Sequence, residues 1–279
     1  MEAGPDNKAE TASEAAAGRD EFLKKGVKPK IKIETITPSH GPVTGETRVV
    51  VRGQNFAKFM TAYPEPKCRF GSNSMIVGAD YISCTEKPQK VTDREATKKE
   101  RTSTCIQCEL SPASLESKPV EFSVSLTGDF TDVTSSANFY YYKASRVTAI
   151  KPIHGPKDGG TNIQVWGENF ESFGEDTSCS FGTKKVRATV HSSNYITCTS
   201  PASDVVQRAM PFGVSLNGQQ QSRDKTDFWY YNNPQVTVAE PASGPGPGPE
   251  NGGNEIVIRG NNFKPFLVDQ GDPDISNST

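Results

Sequence analysis

The chain repeats its own sequence, and this repetition limits the folds it can adopt more than any other feature. Residues 33–56, IETITPSHGPVTGETRVVVRGQNF, return as residues 147–170, VTAIKPIHGPKDGGTNIQVWGENF, so that Pro38, for example, recurs 114 positions later as Pro152. A third copy opens at Val236 after a shorter interval. An internal repeat of this kind predicts a tandem array of small modules, each with its own core.

The second halves of the first two copies also match, and their alignment locates an insertion in the first. Residues 122–142 pair with 212–231, which leaves the extra residues at about 85–108. This stretch is charged and poor in apolar residues, so we predict an inserted surface loop. Residues 1–29, rich in Ala, Glu and Lys, predict a disordered tail.

The predicted boundaries follow from these matches. They are a first module at 30–143, a second at 144–233 and the start of a third at 234–279. The third copy stops before it reaches its cysteines and its aromatic end, so we expect it to be truncated and the natural chain to continue beyond Thr279.

Composition favours β structure throughout the repeats. With 24 Gly, 20 Pro and 33% hydrophobic residues, the chain suits short strands joined by turns. β-Branched, alternating or aromatic runs predict strands at 48–52, 162–166, 122–126, 212–216, 139–142 and 228–231. No segment has the periodicity of an amphipathic helix. The predicted fold class is therefore all-β, with tandem immunoglobulin-like β-sandwiches.

Several motifs recur in the same order in both complete copies. They are P-x-x-G-P, then G-x-N-F, C-x-F-G, a C-x-S-P-like motif, V-S-L-x-G and F-x-Y-Y. This order resembles the IPT/TIG domain, an E-set type immunoglobulin-like module found in plexins, growth-factor receptors and Rel-type transcription factors. The resemblance covers Lys30 to about Phe263 and is closer to the receptor modules, because those carry the cysteine motifs. It implies a non-catalytic binding role.

The six cysteines predict disulfide bonds. Cys179 and Cys198 are 19 positions apart and Cys68 and Cys84 are 16 apart, spacings that suit bonds between strands of a sandwich. In the first copy, the second cysteine of the family pattern is either Cys84 or Cys108. Disulfides imply an oxidising compartment, extracellular or at the cell surface. The alternative is that the cysteines are buried thiols of a cytoplasmic protein.

No site for a metal, a cofactor or catalysis is predicted. Cys105 and Cys108 form one C-x-x-C motif, which is typical of a redox pair or of half a zinc site, but half a site cannot complete a tetrahedral shell. No nucleophile with a base, phosphate-binding glycine loop or carboxylate pair is present, so we predict that the protein is not an enzyme. Four acidic residues are interpreted as solvated rather than calcium-binding, namely Asp129, Asp132, Glu175 and Asp176.

Alternate aromatic rings on the last strand of each module must face outward, and these rings, together with Trp166 and Phe173, are predicted to make contacts. We expect them to contact a neighbouring module or a partner. The candidates are Trp166, Phe173, Tyr140, Tyr142, Trp229 and Tyr231.

Charge and hydropathy limit the partners. A net charge of -2 provides no overall attraction to nucleic acid, so none is expected as a partner. No apolar run is long enough to span a bilayer, and residues 1–28 contain no hydrophobic segment of the kind that directs secretion. The only N-glycosylation sequon is at Asn277.

Three functions fit these observations. The first is a protein–protein interaction or adhesion array of a larger cell-surface or secreted receptor. The second is a cytoplasmic scaffold or a transcription-factor-associated dimerisation protein, which the absence of a secretion segment favours. The third is a set of accessory carbohydrate-binding modules of a secreted enzyme. Folds of this type host too many functions for the fold alone to decide between them.

Overall fold

The computed structural model describes residues 29–60, 62–84, 104–206, 208–224, 226–240 and 255–263. The predicted tail lies outside the described residues except for its last residue, as do residues 85–103 of the predicted insertion. Residues 104–108, which we expected in the loop, instead form part of strand Thr104–Leu110. The expectation was wrong there because these residues pair with a strand on either side, Arg48–Gln54 and Ile76–Ser83.

The first sandwich, called module 1 from here on, consists of short strands in the part of the chain that the structure describes. The strands are β1 (Lys32–Thr37), β2 (His40–Pro42), β3 (Arg48–Gln54), β4 (Lys67–Phe70), β5 (Ile76–Ser83), β6 (Thr104–Leu110), β7 (Pro119–Ser125) and β8 (Ser136–Tyr142). A one-turn helix, α1 (Phe56–Phe59), follows β3, and a 3₁₀ turn, Phe130–Asp132, follows β7.

The second sandwich, called module 2 from here on, repeats this order. Its strands are β9 (Arg146–Lys151), β10 (His154–Pro156), β11 (Asn162–Glu168), β12 (Ser178–Phe181), β13 (Lys184–Ser192), β14 (Tyr195–Thr199), β15 (Ala209–Ser215) and β16 (Thr226–Tyr231). A 3₁₀ turn, Gly174–Asp176, lies where module 1 has α1.

Each module is a sandwich of two sheets that share one long strand. In module 1 the orders are β1–β3–β6–β5 and β5–β4–β7–β8–β2, and in module 2 they are β9–β11–β14–β13 and β13–β12–β15–β16–β10. The pairs are antiparallel except β2 with β8 and β10 with β16, which are parallel. The prediction of tandem immunoglobulin-like sandwiches is confirmed.

The core of each sandwich forms because alternate residues of the strands point inward. In β11, for example, every second residue is buried. Phe181 packs edge-on against Phe212 and Phe228, with ring centroids 5.1 and 5.3 Å apart. Module 1 has the same arrangement around Phe70. Edge-to-face packing adds about 0.5–1.5 kcal/mol per pair beyond the burial of apolar area.

A third hairpin follows module 2 and has the geometry of the first hairpin of each module. β17 (Gln235–Glu240) pairs with β18 (Val257–Asn261) through the same irregularity in register as β1 with β3 and β9 with β11. Gly53, Gly167 and Gly260 lie beside this bulge, where an added Cβ would be 1.8–2.0 Å from a carbonyl oxygen of the opposite strand. Only glycine fits there, which explains why it occurs in all three copies.

Candidate functional site: the joint between modules and the outer face of module 2

Two glutamines in the loop between β15 and β16 join module 2 to module 1. Gln219 Oε1 accepts a hydrogen bond from the backbone N–H of Arg48, and Gln219 Nε2 donates to the Arg48 carbonyl oxygen, both at 2.9 Å. Gln220 Nε2 donates to the Glu46 carbonyl oxygen at 2.6 Å, and Gln220 Oε1 accepts from the Thr47 hydroxyl at 3.1 Å. These bonds fix one module on the other.

Asn217 holds this loop in its docked shape. Its Oδ1 accepts from the backbone N–H groups of Gln219 and Gln220 at 3.0 and 3.1 Å, and its Nδ2 donates to Gln220 Oε1 at 2.6 Å. The Asn217 side chain is buried. Because the loop is ordered by bonds within itself, the glutamines lose less conformational freedom when they bind module 1.

An aromatic stack forms the second part of the joint. The His40 ring lies face to face with Phe173, with centroids 3.9 Å apart, and Tyr142 and Tyr140 flank Phe173 at 5.3 and 6.0 Å. His40 Nε2 lies 3.1 Å from the Leu216 carbonyl oxygen, so a neutral imidazole that donates through Nε2 satisfies this contact. Three predicted contact residues, Tyr140, Tyr142 and Phe173, thus meet at the joint around His40.

Burial lowers the pKa of His40 below the ordinary 6.5, because the imidazolium loses its hydration; the Leu216 carbonyl and the Asp176 carboxylate oppose this effect. Asp176 Oδ2 lies 3.7 Å from His40 Nε2. The folded protein therefore binds this proton less readily than the unfolded chain does. The contribution of His40 to stability is complete above about pH 6.5 and is lost as the pH falls from 6.5 to the lowered pKa.

We expect His40 to titrate with a midpoint below 6.5 when its ring signals are followed by NMR. Asp176→Asn should lower the midpoint further, because it removes the nearby negative charge. Glu175→Gln is the matched control, since the Glu175 carboxylate pairs with Arg187 at 3.3 Å. A wild-type midpoint above 6.5 would contradict the burial of His40 in the joint.

The outer face of module 2 carries three aromatic rings in a row across β11, β14 and β13. Trp166 is paired with Tyr195 in the β11–β14 ladder, with ring centroids 5.8 Å apart, and His191 lies 5.1 Å beyond Tyr195. Trp166 is 36% exposed. His191 Nε2 lies 2.9 Å from Thr197 Oγ1. We call Trp166, Tyr195 and His191 the aromatic face. Rings held on a rigid sheet offer a large contact area at a low cost in conformational entropy.

Module 1 has a different surface at the equivalent positions. Arg52 stands in place of Trp166, and Cys105, bonded to Cys84, stands in place of Tyr195. Arg52 Nη2 donates to the Cys84 carbonyl oxygen at 3.2 Å. The two modules therefore share a core but differ on this outer face.

All six cysteines are in disulfide bonds. The bonds are Cys68–Cys108, Cys84–Cys105 and Cys179–Cys198, with Cα–Cα distances of 5.9, 5.2 and 6.4 Å. The first and third occupy equivalent positions and link the two sheets of their module, β4 to β6 and β12 to β14. The second links the end of β5 to β6.

The pairing of Cys68 with Cys84 that their spacing suggested is wrong, and the alternative, Cys108, is the partner of Cys68. Cys68 and Cys108 both lie in the buried core of module 1, whereas Cys84 lies outside it, beyond the end of β5 where Ser83 pairs with Thr104. Cys105 and Cys108 are neither a redox pair nor half of a zinc site, because each is bonded to a different cysteine.

The remaining predicted positions lie elsewhere. Trp229, 40% exposed, and Tyr231 are on β16, beside β10. Asp129 caps the 3₁₀ turn of module 1 by accepting from a backbone N–H at 3.0 Å. Among the described residues, no group of three or more His, Cys, Asp or Glu side chains could hold a metal ion. No helix in the described part of the chain is long and apolar enough to cross a membrane.

Sequence reasoning missed Asn217, the two glutamines that follow Gly218, and the rings of Tyr195 and His191. One signal could have found the loop, because the two copies agree through V-S-L and then diverge, with T-G-D in the first and N-G-Q-Q in the second. A polar turn that departs from an otherwise repeated pattern is a candidate contact.

Comparison with known proteins identifies the family. The sequence profile described as IPT/TIG domain matches residues 32–142 and 145–230, and each match spans one of the two sandwiches. The chain belongs to the IPT/TIG domain family. The resemblance inferred from the order of the motifs is thereby confirmed.

Individual relatives of this IPT/TIG chain include plexins. Plexin-A4 of Danio rerio is 25% identical over 211 residues, covering 75% of this chain and 10% of that protein. Plexin-2 of Caenorhabditis elegans is 23% identical over 249 residues, covering 87% and 12%. A solved structure of the full extracellular region of Plexin A4 aligns at 20% identity with a TM-score of 0.42, covering 76% of this chain and 16% of that one. The chain thus spans about a tenth of the length of these relatives.

Proposed function

We propose that this chain is a non-catalytic part of a larger cell-surface or secreted receptor, in which module 2 binds a protein partner through the aromatic face. The observation that carries the proposal is the row of three rings, which module 2 presents and module 1 does not. The joint supports it. Gln219 and Gln220 bind module 1 with four hydrogen bonds, so the aromatic face is held in a fixed direction.

An extracellular location agrees with the cysteine chemistry. Disulfide bonds persist in oxidising compartments and are rare in the cytosol. All six cysteines are paired here. A cytoplasmic scaffold would have to keep three such bonds in a reducing environment, which makes that interpretation the weaker one.

The proposed organisation is two complete IPT/TIG modules at 30–143 and 144–233, followed by the opening hairpin of a third. The hairpin supports this because it repeats both the bulge and the glycine of the two preceding hairpins. Its apolar residues are exposed in the described part of the chain, as Val236 at 60% and Ile258 at 56% show. The equivalent residues of module 1 lie in a core that a second sheet completes.

The surroundings of the aromatic face suit a protein partner. Exposed charges of both signs lie on the same sheet, at Lys151 on β9 and Glu168 on β11. Protein interfaces characteristically combine a centre of aromatic residues with a polar and charged rim. A surface that bound carbohydrate would use the same rings, so the test must distinguish the two.

A binding screen tests the aromatic face directly. The full chain, multimerised for avidity, is applied to purified receptor ectodomains and, in parallel, to immobilised glycans. For a genuine protein partner, we expect Trp166→Ala to weaken binding at least about tenfold, because truncation of an interface tryptophan typically costs about 2 kcal/mol or more. Affinities are then measured in solution by surface plasmon resonance.

The matched control is Arg52→Ala, which alters the equivalent position on module 1 and should change affinity by less than about twofold, as surface substitutions outside an interface do. Ectodomain partners whose affinity does not respond to Trp166→Ala would refute the aromatic face as the binding surface. Loss of glycan binding in Trp166→Ala, with no ectodomain bound, would instead establish the carbohydrate interpretation.

A further inference from the structure

The third hairpin reproduces its predecessors beyond the bulge. Asn55, Asn169 and Asn262 all have positive φ, between 58° and 71°. The side-chain amide of each donates to the carbonyl oxygen of the residue two positions before the first strand of the hairpin, at 3.0, 3.1 and 3.0 Å. For Asn169 and Asn262 this acceptor is the middle residue of a linker, Ala144 or Asn233. The two linkers, 143–145 and 232–234, have the same length.

The phenylalanine after each asparagine also has the same position. Phe56, Phe170 and Phe263 each place a ring carbon within 2.9 Å of the point where a Cβ on the bulge glycine would lie. All three begin the pattern F-x-x-F. In module 2 the second phenylalanine of the pattern is Phe173, the residue that stacks on His40 of the preceding module. In the third copy it is Phe266, which lies outside the described residues.

Module 2 repeats the surface on which Phe173 docks. His154 is paired with Trp229, and Pro156 with Tyr231, in the same parallel register that pairs His40 with Tyr140 and Pro42 with Tyr142. The turn beneath is also conserved between the modules. A Cβ on Gly155 would meet the Thr161 hydroxyl oxygen at 2.3 Å, and one on Gly41 would meet that of Thr47 at the same distance.

We propose that His154, Trp229 and Tyr231 form a docking surface for Phe266, so that the joint between module 2 and the third hairpin uses the same stack as the joint between modules 1 and 2. The inference rests on the proposed tandem arrangement but not on partner binding by the aromatic face. The two linkers have the same length, and an asparagine side chain binds the middle residue of each. Because the F-x-x-F spacing is also the same, Phe266 should reach the position on module 2 that Phe173 occupies on module 1. The preceding module supplies the histidine and the two flanking rings.

The first copy shows the competing arrangement. Phe59, the second phenylalanine of that pattern, is 3% exposed and packs in the core of its own module. That position requires a closed sandwich. In the described part of the third copy, β17 and β18 are a two-stranded hairpin with every residue of β17 exposed. The docking surface on module 2 is therefore the better-formed contact for Phe266.

NMR of the histidine rings tests the proposal on the full chain, because only His40, His154 and His191 contribute signals. A phenylalanine stacked on an imidazole shifts the ring protons upfield. We expect Phe266→Ala to move the His154 ring signals downfield and to leave those of His40 in place. Phe173→Ala should move the His40 ring signals downfield by a comparable amount and leave those of His154 in place. His191 is the internal reference.

The conservative variant Phe266→Leu keeps an apolar side chain but removes the ring current, so it should move the His154 signals as Phe266→Ala does. His154 signals that stay unchanged in both Phe266 variants, while those of His40 respond to Phe173→Ala, would overturn the proposal. Shifts confined to the methyl groups of Val257 and Ile258 would also overturn it, because they would place Phe266 against its own hairpin. Neither result would affect the test of Trp166.

Discussion

Replacing Cys179 and Cys198 by alanine should lower the free energy of unfolding of module 2 by about 2–5 kcal/mol. The bond joins the two sheets across 19 positions of sequence, so its loss increases the conformational freedom of the unfolded chain. Both cysteines are buried, which means that the vacated sulfur positions also leave the core less well packed. Both tryptophans, Trp166 and Trp229, lie in module 2, so urea unfolding followed by tryptophan fluorescence reports on this module.

The matched control removes the equivalent bond of module 1 by replacing Cys68 and Cys108 with alanine. It should move the tryptophan-detected transition much less, because both reporters lie in the other module. If the module 2 variant lost less than about 1 kcal/mol, the strands would hold the sandwich together without the bond, contrary to the usual cost. Equal shifts in the two variants would show that the modules unfold as one unit.

The sandwich could be predicted from sequence because local and long-range requirements select the same residues. In β11 the alternation that favours a strand also places Ile163 and Val165 in the core, and Gly167 is demanded by the close approach of the Arg146 carbonyl oxygen. Such a position tolerates few substitutions, so it recurs visibly from copy to copy. Recurrence at equivalent positions in two copies then supports the strand assignment twice.

The pairing of the cysteines could not be predicted from spacing, because the insertion in module 1 changes the distance along the chain without changing the sandwich. Cys108 corresponds to Cys198, yet it lies 40 positions after Cys68 instead of 19. Cys84 falls nearer to the repeated spacing but lies outside the buried core, beyond the end of β5. Only the sheet order shows which cysteines face each other across the core.

The glutamine contacts of the joint could not be predicted for a related reason. These hydrogen bonds connect residues more than 170 positions apart, as Gln219 and Arg48 are, and they belong to one pair of modules rather than to the repeated pattern. A side-chain amide that binds a backbone N–H and C=O needs no particular residue type on the other side. The module 1 side of these hydrogen bonds therefore leaves almost no trace in the sequence.

Replacing Gln219 and Gln220 together by alanine should free the orientation of module 2 relative to module 1 while both sandwiches stay folded. Four intermodule hydrogen bonds are lost, each with a net value of about 0.5–1.5 kcal/mol. The stack of Phe173 on His40 then remains, together with the hydrogen bonds of His40 to the Leu216 carbonyl oxygen and of Asn217 to the Thr47 hydroxyl. A ring pair contributes only about 0.5–1.5 kcal/mol beyond its buried area. In residual dipolar coupling measurements, one alignment tensor should fit both wild-type modules, and the variant should require two.

Gln221→Ala provides the matched control for this prediction, since it removes the same kind of side chain from the same loop. The Gln221 Oε1 atom accepts from the Ser180 hydroxyl at 2.9 Å, a bond within module 2, so one tensor should still fit both modules in this variant. If one tensor also fitted the Gln219 and Gln220 double variant, the aromatic stack, the hydrogen bonds of His40 and Asn217 and the short linker would together be sufficient to fix the orientation. A stack formed by Phe266 would then contribute to aligning the third hairpin, where the described chain contributes no second pair of glutamines.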